Sequence, residues 1–149
     1  MSCRQEGGRE PPKIPKDPAL ENAESLRMQV PRAFTTQNHD AHIISHTAFT
    51  QTRMVQVNPM VNALLQAHIA EHLSMKARAQ ALAIISTQRP DLMQLKDQNP
   101  ELFQVEFDSM VALRTAELTQ ELQKAEELQD NGDELVKLKQ RELDLKAMD

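Results

Sequence analysis

The chain has 149 residues, and 40% of them are apolar, but there is no Trp or Tyr and only four Phe, so any core must be aliphatic and rich in Met. The net charge of −5 comes without a basic patch for binding nucleic-acid phosphates. The single cysteine, Cys3, excludes an internal disulfide framework. No apolar run is long enough for a membrane span or a signal peptide.

Glycine is scarce, with only three in the chain, and positive-φ turns therefore have few residues to form them. Ala, Leu, Gln, Glu, Met and Lys dominate the middle and the end of the sequence, which is the composition of a helical protein. We therefore predict an all-α fold in three parts: a disordered N-terminal arm, a helical hairpin, and a long helix followed by a terminal barrel-type helix.

The first predicted part, residues 1–23, is an extended or disordered arm. It contains four prolines among charged groups, and proline fixes φ and cannot donate a helix hydrogen bond. These prolines are Pro11, Pro12, Pro15 and Pro18. A short helical stretch is predicted over residues 25–30, before Pro31.

The second part, residues 24–98, is predicted to hold an antiparallel helix pair. The first helix covers about 37–53, with Thr36, Gln37 or Asn38 as its cap. The second covers about 59–87: Asn58-Pro59 supplies an N-cap and a first-turn proline, and the helix ends before Arg89-Pro90.

The third part, residues 99–149, begins after a short turn that Asp91 is predicted to cap. Asn99-Pro100 repeats the earlier start signal, so a helix is predicted over 100–129. It is expected to stop at Asp130-Asn131-Gly132, where glycine suits the left-handed position. A last helix over 133–149 has a narrow apolar line, which predicts a seam between copies of the chain. That line is formed by Leu135, Leu138 and Leu145.

A repeated hexapeptide is the most distinctive feature of the sequence. Residues 41–46 read AHIISH and residues 67–72 read AHIAEH, and together they hold four of the five histidines. Residues four apart lie on one helix face, and both pairs fall within apolar stripes. We interpret the four as polar contacts between helices, each ring donating to a carbonyl, hydroxyl or carboxylate. They are His42, His46, His68 and His72.

Two sharper hypotheses use the same histidines. In one, all four form a single metal site between antiparallel helices. In the other, His68, Glu71 and His72 form the H-x-x-E-H pattern of a zinc hydrolase, with the glutamate as general base. The chain has no nucleophile motif, phosphate loop or C-x-x-C pair, so the favoured expectation is a protein without catalytic residues, cofactor or bound metal.

At these repeats the sequence resembles a known family. The run from Asn38 to Phe49, then Asn58-Pro59 and the run from Leu64 to Leu73, is similar to the C-terminal region of the portal proteins of tailed bacteriophages, the head-to-tail connectors. The end of the chain, from Leu135 to Lys146, also resembles a helix near the end of such proteins. The resemblance covers about residues 28–149.

The resemblance implies a structural subunit, or a fragment of one, in a ring of usually twelve copies at one capsid vertex. Double-stranded DNA passes through such a ring without specific binding, driven by a terminase. It further implies capsid and terminase partners, a location in the virion after synthesis in the host cytoplasm, and no membrane. The alternatives are a generic oligomeric helical adaptor or scaffold, and third the zinc-dependent hydrolase.

Overall fold

The computed structural model describes residues 14–148, and all regular structure among them is helical, which confirms the all-α prediction. The helices are α1 (Pro18–Ser25), α2 (His39–Thr50), α3 (Arg53–Gln56), α4 (Pro59–Gln88), α5 (Pro90–Gln98) and α6 (Pro100–Met148). None of the described helices combines the length and apolarity that a bilayer span requires. The chain divides into two compact units, residues 1–75 and 76–149.

The first unit begins with a helix that the sequence analysis did not predict. Residues 18–23, assigned above to the disordered arm, belong to α1, and the described part of that assignment is therefore wrong from Pro18 onwards. The Asp17 side chain accepts a hydrogen bond from the Leu20 amide at 2.9 Å and caps the helix. Pro18 occupies the first helical turn, where a missing N–H costs nothing. Residues 14–17 have no regular structure, and residues 1–13 of the arm lie outside the described residues.

The helix predicted over 25–30 is wrong, because α1 ends at Ser25 and a turn follows it. Met28 has φ of 61°, a left-handed conformation that usually falls to glycine. Its amide donates to the Ser25 carbonyl at 2.9 Å, and the Gln29 amide donates to the Glu24 carbonyl at 3.2 Å. These two bonds satisfy carbonyls at the helix end and turn the chain away from it.

The predicted hairpin helices are present with boundaries close to those expected. Asn38 caps α2 by accepting from the Ala41 amide at 3.1 Å, and Asn58 caps α4 by accepting from the Val61 amide at 3.3 Å. The first predicted helix ran to residue 53, whereas α2 ends at Thr50 and the short α3 follows. Helix α3 and the start of α4 share a small apolar core. It comprises Val55, Val61 and Leu65, with Phe49 and Leu64 against them.

The second unit contains the end of α4, with α5 packed on the first half of α6. The Phe103 and Phe107 rings stack with centroids 5.8 Å apart, and the Arg78 guanidinium lies over the Phe107 ring at 5.4 Å. Asp91 lies inside the first turn of α5, whose N-cap residue is Arg89, so the predicted Asp91 cap is wrong. The Asp91 carboxylate instead accepts two hydrogen bonds from Arg89, at 2.9 and 3.0 Å.

Helix α6 runs through the predicted break at Asp130-Asn131-Gly132. Gly132 does not adopt positive φ, and glycine inside a helix costs only about 1 kcal/mol relative to alanine. No proline follows to stop the helix, so the predicted separate helices 100–129 and 133–149 are one element of 49 residues. Leu118 is the last buried residue of this helix among those described.

Candidate metal centre

Five buried side chains from three helices converge in the first unit. Glu21 comes from α1, His42 and His46 from α2, and His68 and His72 from α4. Each presents one nitrogen or carboxylate oxygen, and these five atoms all lie within 4.8 Å of one another. The four histidines of the repeated hexapeptide therefore share one site, and it includes a carboxylate that the sequence analysis did not predict.

The two histidine pairs meet because α2 and α4 run in opposite directions at this point. The rings of His42 and His72 are stacked with centroids 4.6 Å apart, and those of His46 and His68 are 4.7 Å apart. The earlier histidine of one helix thus faces the later histidine of the other. The i, i+4 spacing places both members of each pair on the inner face of its helix.

Glu21 lies at the centre of this arrangement. Its Oε1 is 2.9 Å from Nδ1 of His42 and 3.4 Å from Nε2 of His46, and its Oε2 is 3.4 Å from Nε2 of His68. Despite these short distances, none of the converging atoms has a partner in hydrogen-bond geometry. Within the cluster, the unpartnered atoms are Glu21 Oε1, His42 Nδ1, His46 Nε2, His68 Nε2 and His72 Nε2.

Unpartnered buried polar atoms are rare in proteins, because each costs about 1 to 3 kcal/mol. Here five of them point at a common centre, and four of the side chains expose 0 to 5% of their surface while Glu21 exposes 2%. A buried carboxylate also needs a nearby positive charge. A metal cation at the centre satisfies all five atoms at once.

The outer nitrogens of three rings are held by second contacts. Asn22 Oδ1 lies 2.7 Å from His46 Nδ1, Glu71 Oε1 lies 3.1 Å from His68 Nδ1, and Nδ1 of His39 lies 2.8 Å from Nδ1 of His72. For His46 the proton sits on Nδ1, since Asn22 uses its amide to contact Ser45 at 3.3 Å and offers its oxygen to the ring. A proton on Nδ1 leaves the Nε2 lone pair aimed at the centre, which is the usual arrangement of a metal-binding histidine.

Glu71 does not take the role that the H-x-x-E-H hypothesis requires. Its side chain is 43% exposed and contacts the outer nitrogen of His68. It is not one of the five converging groups. A general base must reach the water bound to the metal, whereas this carboxylate contacts the side of the ring that faces away from the centre. The contact orients His68.

Within the cluster, the pKa values of the carboxylate and of one imidazole are both lowered. Burial alone raises the pKa of Glu21, but the facing nitrogens and charges of His46 and His68 outweigh it and lower the pKa from 4.5 to about 2. Burial and the neighbouring rings of His68 and His42 lower the pKa of His72 from 6.5 to about 3. The carboxylate is therefore ionised and this imidazole neutral at pH 7, the states in which both bind metal.

Two other histidines of the cluster, His42 and His68, have pKa values shifted in opposite directions. Burial lowers the pKa of His42, and Glu21 only partly offsets it. Burial also opposes the charge on His68, but the carboxylates of Glu21 and Glu71 together raise the pKa of that ring. A proton on His68 would offset the charge of Glu21 yet leave the inner nitrogens of the other three rings without partners. Protonation of one ring therefore does not explain the cluster.

The donor atoms also fit a metal ion in number, type and spacing. Metal bonds to imidazole and carboxylate are about 2.0 to 2.2 Å long, so opposite ligands lie about 4 Å apart. The largest spacing here, 4.8 Å, needs only a small contraction. Four nitrogens and a carboxylate favour first-row transition ions, since Mg²⁺ and Ca²⁺ prefer oxygen ligands and soft ions prefer sulfur.

Two parts of this site were beyond the sequence analysis. Glu21 and Asn22 lie within the segment interpreted as disordered, and His39, the fifth histidine, was given no role. The signal that could have found them is Asp17-Pro18, an N-cap followed by a first-turn proline. No protein-family model, curated protein or solved structure matches this chain.

Proposed function

We propose that this protein binds one divalent first-row transition-metal ion through Glu21, His42, His46, His68 and His72, and that the ion stabilises the packing of α1 against α2 and α4. The single observation that carries the proposal is the convergence of five buried donor atoms, none with a hydrogen-bond partner. A purely structural polar contact would pair these atoms with one another, and their geometry does not.

The role is structural, because the chain itself supplies five donors. Catalytic metal sites keep a coordination position open for water or substrate, whereas structural sites are closed by protein ligands. Glu21 has two oxygens near the histidines, at 2.9 to 3.4 Å, so five or six bonds are available. That number favours an ion such as ferrous iron over zinc, whose structural sites are tetrahedral.

Thermal unfolding of the untagged, chelator-treated protein tests the proposal. Ferrous iron under anaerobic conditions, zinc and nickel should each raise the Tm, since an ion at 100 times its Kd adds about 2.7 kcal/mol to the free energy of unfolding. Magnesium and calcium serve as controls and should leave the Tm unchanged. If none of the three transition ions shifts the Tm at saturating concentration, the metal site is wrong.

The portal role implied by the resemblance stays a prediction. What supports an assembly role is the second half of α6, where the predicted seam residues Leu135, Leu138 and Leu145 are exposed. A closed structural metal and an oligomerising helix are compatible in one subunit. Electron microscopy of the purified protein tests the portal role directly: rings of about a dozen copies would support it, and particles of one or two chains would not.

A further inference from the structure

The last part of α6 carries a row of leucines without a partner in the described chain. Leu128, Leu135, Leu138 and Leu145 are 72%, 67%, 55% and 65% exposed. Their spacings of seven, three and seven residues match positions a and d of a heptad, which lie along one line of a helix. An apolar line on a long, otherwise charged helix marks a surface for another helix.

The charges along this helix identify the direction of the partner. Residues 121–134 contain six acidic groups and one basic group, whereas residues 135–148 contain four basic groups and two acidic groups. Two copies side by side in the same direction would place acidic against acidic. Two copies in opposite directions place the acidic half of each against the basic half of the other, and like charges in contact are avoided.

The heptad positions agree with the charges. In an antiparallel pair with its twofold axis between Val136 and Lys137, Leu128 faces Leu145 of the second copy and Leu135 faces Leu138 of the second copy. Every leucine of the row then has a leucine opposite. Outside the row, Glu134 and Arg141 of the second copy become neighbours of opposite charge, twice by symmetry.

The same row explains why the parallel arrangement is disfavoured. The two remaining positions of the row are Asn131 and Glu142, which are exposed. In a parallel pair Glu142 meets Glu142 of the second copy within the seam, and two carboxylates brought together in an apolar contact repel. In the antiparallel pair Glu142 meets Asn131, whose amide can donate to a carboxylate.

We propose that residues 128–145 of α6 pair with the same segment of a second copy as an antiparallel two-stranded coiled coil. The segment spans two and a half heptads, fewer than the three to four heptads of a strong coiled coil, so the dimer is weak and depends on protein concentration. This proposal is independent of the metal site, since none of its residues lies in the first unit, and it competes with the portal ring, in which neighbouring subunits run in the same direction.

Sedimentation of the full chain at concentrations from about 1 µM to about 1 mM measures the association. We expect a monomer that converts to a dimer within this range. Leu138→Glu should abolish the dimer, whereas Leu143→Glu should retain it. The two leucines are a matched pair, both 55% exposed on the same helix, but Leu143 lies outside the row. A chain that stays monomeric, or equal effects of both substitutions, overturns the proposal.

Disulfide cross-linking tests the direction of the pair. In a background with Cys3→Ser, which removes the only cysteine, Leu128→Cys and Leu145→Cys are made separately and oxidised alone or mixed. The antiparallel pair predicts cross-linked dimers only in the mixture, since identical positions lie about 25 Å apart at 1.5 Å per residue. Cross-linking of each variant with itself would show parallel neighbours, as in a ring, and would contradict the proposal.

Discussion

Asn22 Oδ1 accepts a hydrogen bond from Nδ1 of His46 at 2.7 Å, and both groups are buried. This bond joins α1 to α2 and directs the second nitrogen of His46 at Glu21, the residue beside Asn22 in the sequence. Two adjacent residues of α1 thus act on the same ring from its two sides. One supplies the negative charge of the site and the other fixes the orientation of a donor.

Removal of the Asn22 acceptor should weaken metal binding without changing its stoichiometry. Asn22→Leu leaves His46 without its outer partner, and loss of such a contact typically costs about 10- to 100-fold in metal affinity. Asn22→Asp keeps an oxygen acceptor at the same place and should restore most of the affinity. Metal titration followed by calorimetry measures both; equal affinities for the leucine variant and the unmodified protein would contradict the assigned role.

Loss of the Glu21 carboxylate should reduce metal affinity more than loss of the Asn22 acceptor does. Glu21→Gln removes the negative charge that offsets the cation, so we expect at least a 100-fold loss of affinity and a smaller rise of the Tm with metal. Glu24→Gln, on the same helix, is the matched control, because Glu24 binds Lys16 at 2.8 Å and lies outside the cluster. The account is contradicted if the two variants bind metal alike.

The metal-free protein should lose stability as the pH falls from about 7 towards 3. The pKa of His72 is lowered from 6.5 to about 3, so between these values the unfolded chain binds a proton that the folded chain does not, and stability falls with pH. Below pH 4.5 the lowered pKa of Glu21 adds to the loss. The raised pKa of His68 acts in the opposite sense, favouring the folded state below pH 6.5.

Thermal unfolding of chelator-treated protein across this range measures the effect. His72→Gln removes the titrating ring and should flatten the dependence between pH 6.5 and pH 4. A Tm that stays constant or rises on acidification of the unmodified protein would be the opposite of this expectation.

Substitution of Met28 should stabilise the first unit. A non-glycine residue in the left-handed region costs about 1 kcal/mol, and Met28 at φ of 61° is the only such residue among those described. Met28→Gly should therefore raise the Tm of unfolding by a few degrees. Gln29→Gly changes the next residue, which lacks positive φ, and should lower the Tm because glycine adds freedom to the unfolded chain.

Much of this fold can be predicted from local sequence signals. Asn58-Pro59 and Asn99-Pro100 place the starts of α4 and α6, because the asparagine side chain caps the first turn and proline at the first position sacrifices no hydrogen bond. The histidine spacing predicts which faces of α2 and α4 turn inward. That the two pairs meet depends on how the predicted antiparallel helices pack, and a single site holding all four histidines was expected only as an alternative.

The predictions that were wrong concern segments in which weak local preferences compete with tertiary contacts. Prolines and charges over residues 1–23 indicated disorder, yet the Asn22 side chain gains hydrogen-bond partners on α2, His46 and Ser45, that offset the ordering of α1. A helix whose polar face is buried cannot be recognised from the hydropathy of its sequence. Gly132 indicated a helix end, but a single glycine costs less than the hydrogen bonds that a break would expose.

X-ray absorption spectroscopy of the iron- or zinc-loaded protein tests the central claim most directly. The account predicts one metal per chain, with about four imidazole nitrogens and one carboxylate at about 2.0 to 2.2 Å. One or two imidazoles with a shell of water oxygens, or a spectrum unchanged in Glu21→Gln, would contradict a metal centre formed by Glu21, His42, His46, His68 and His72.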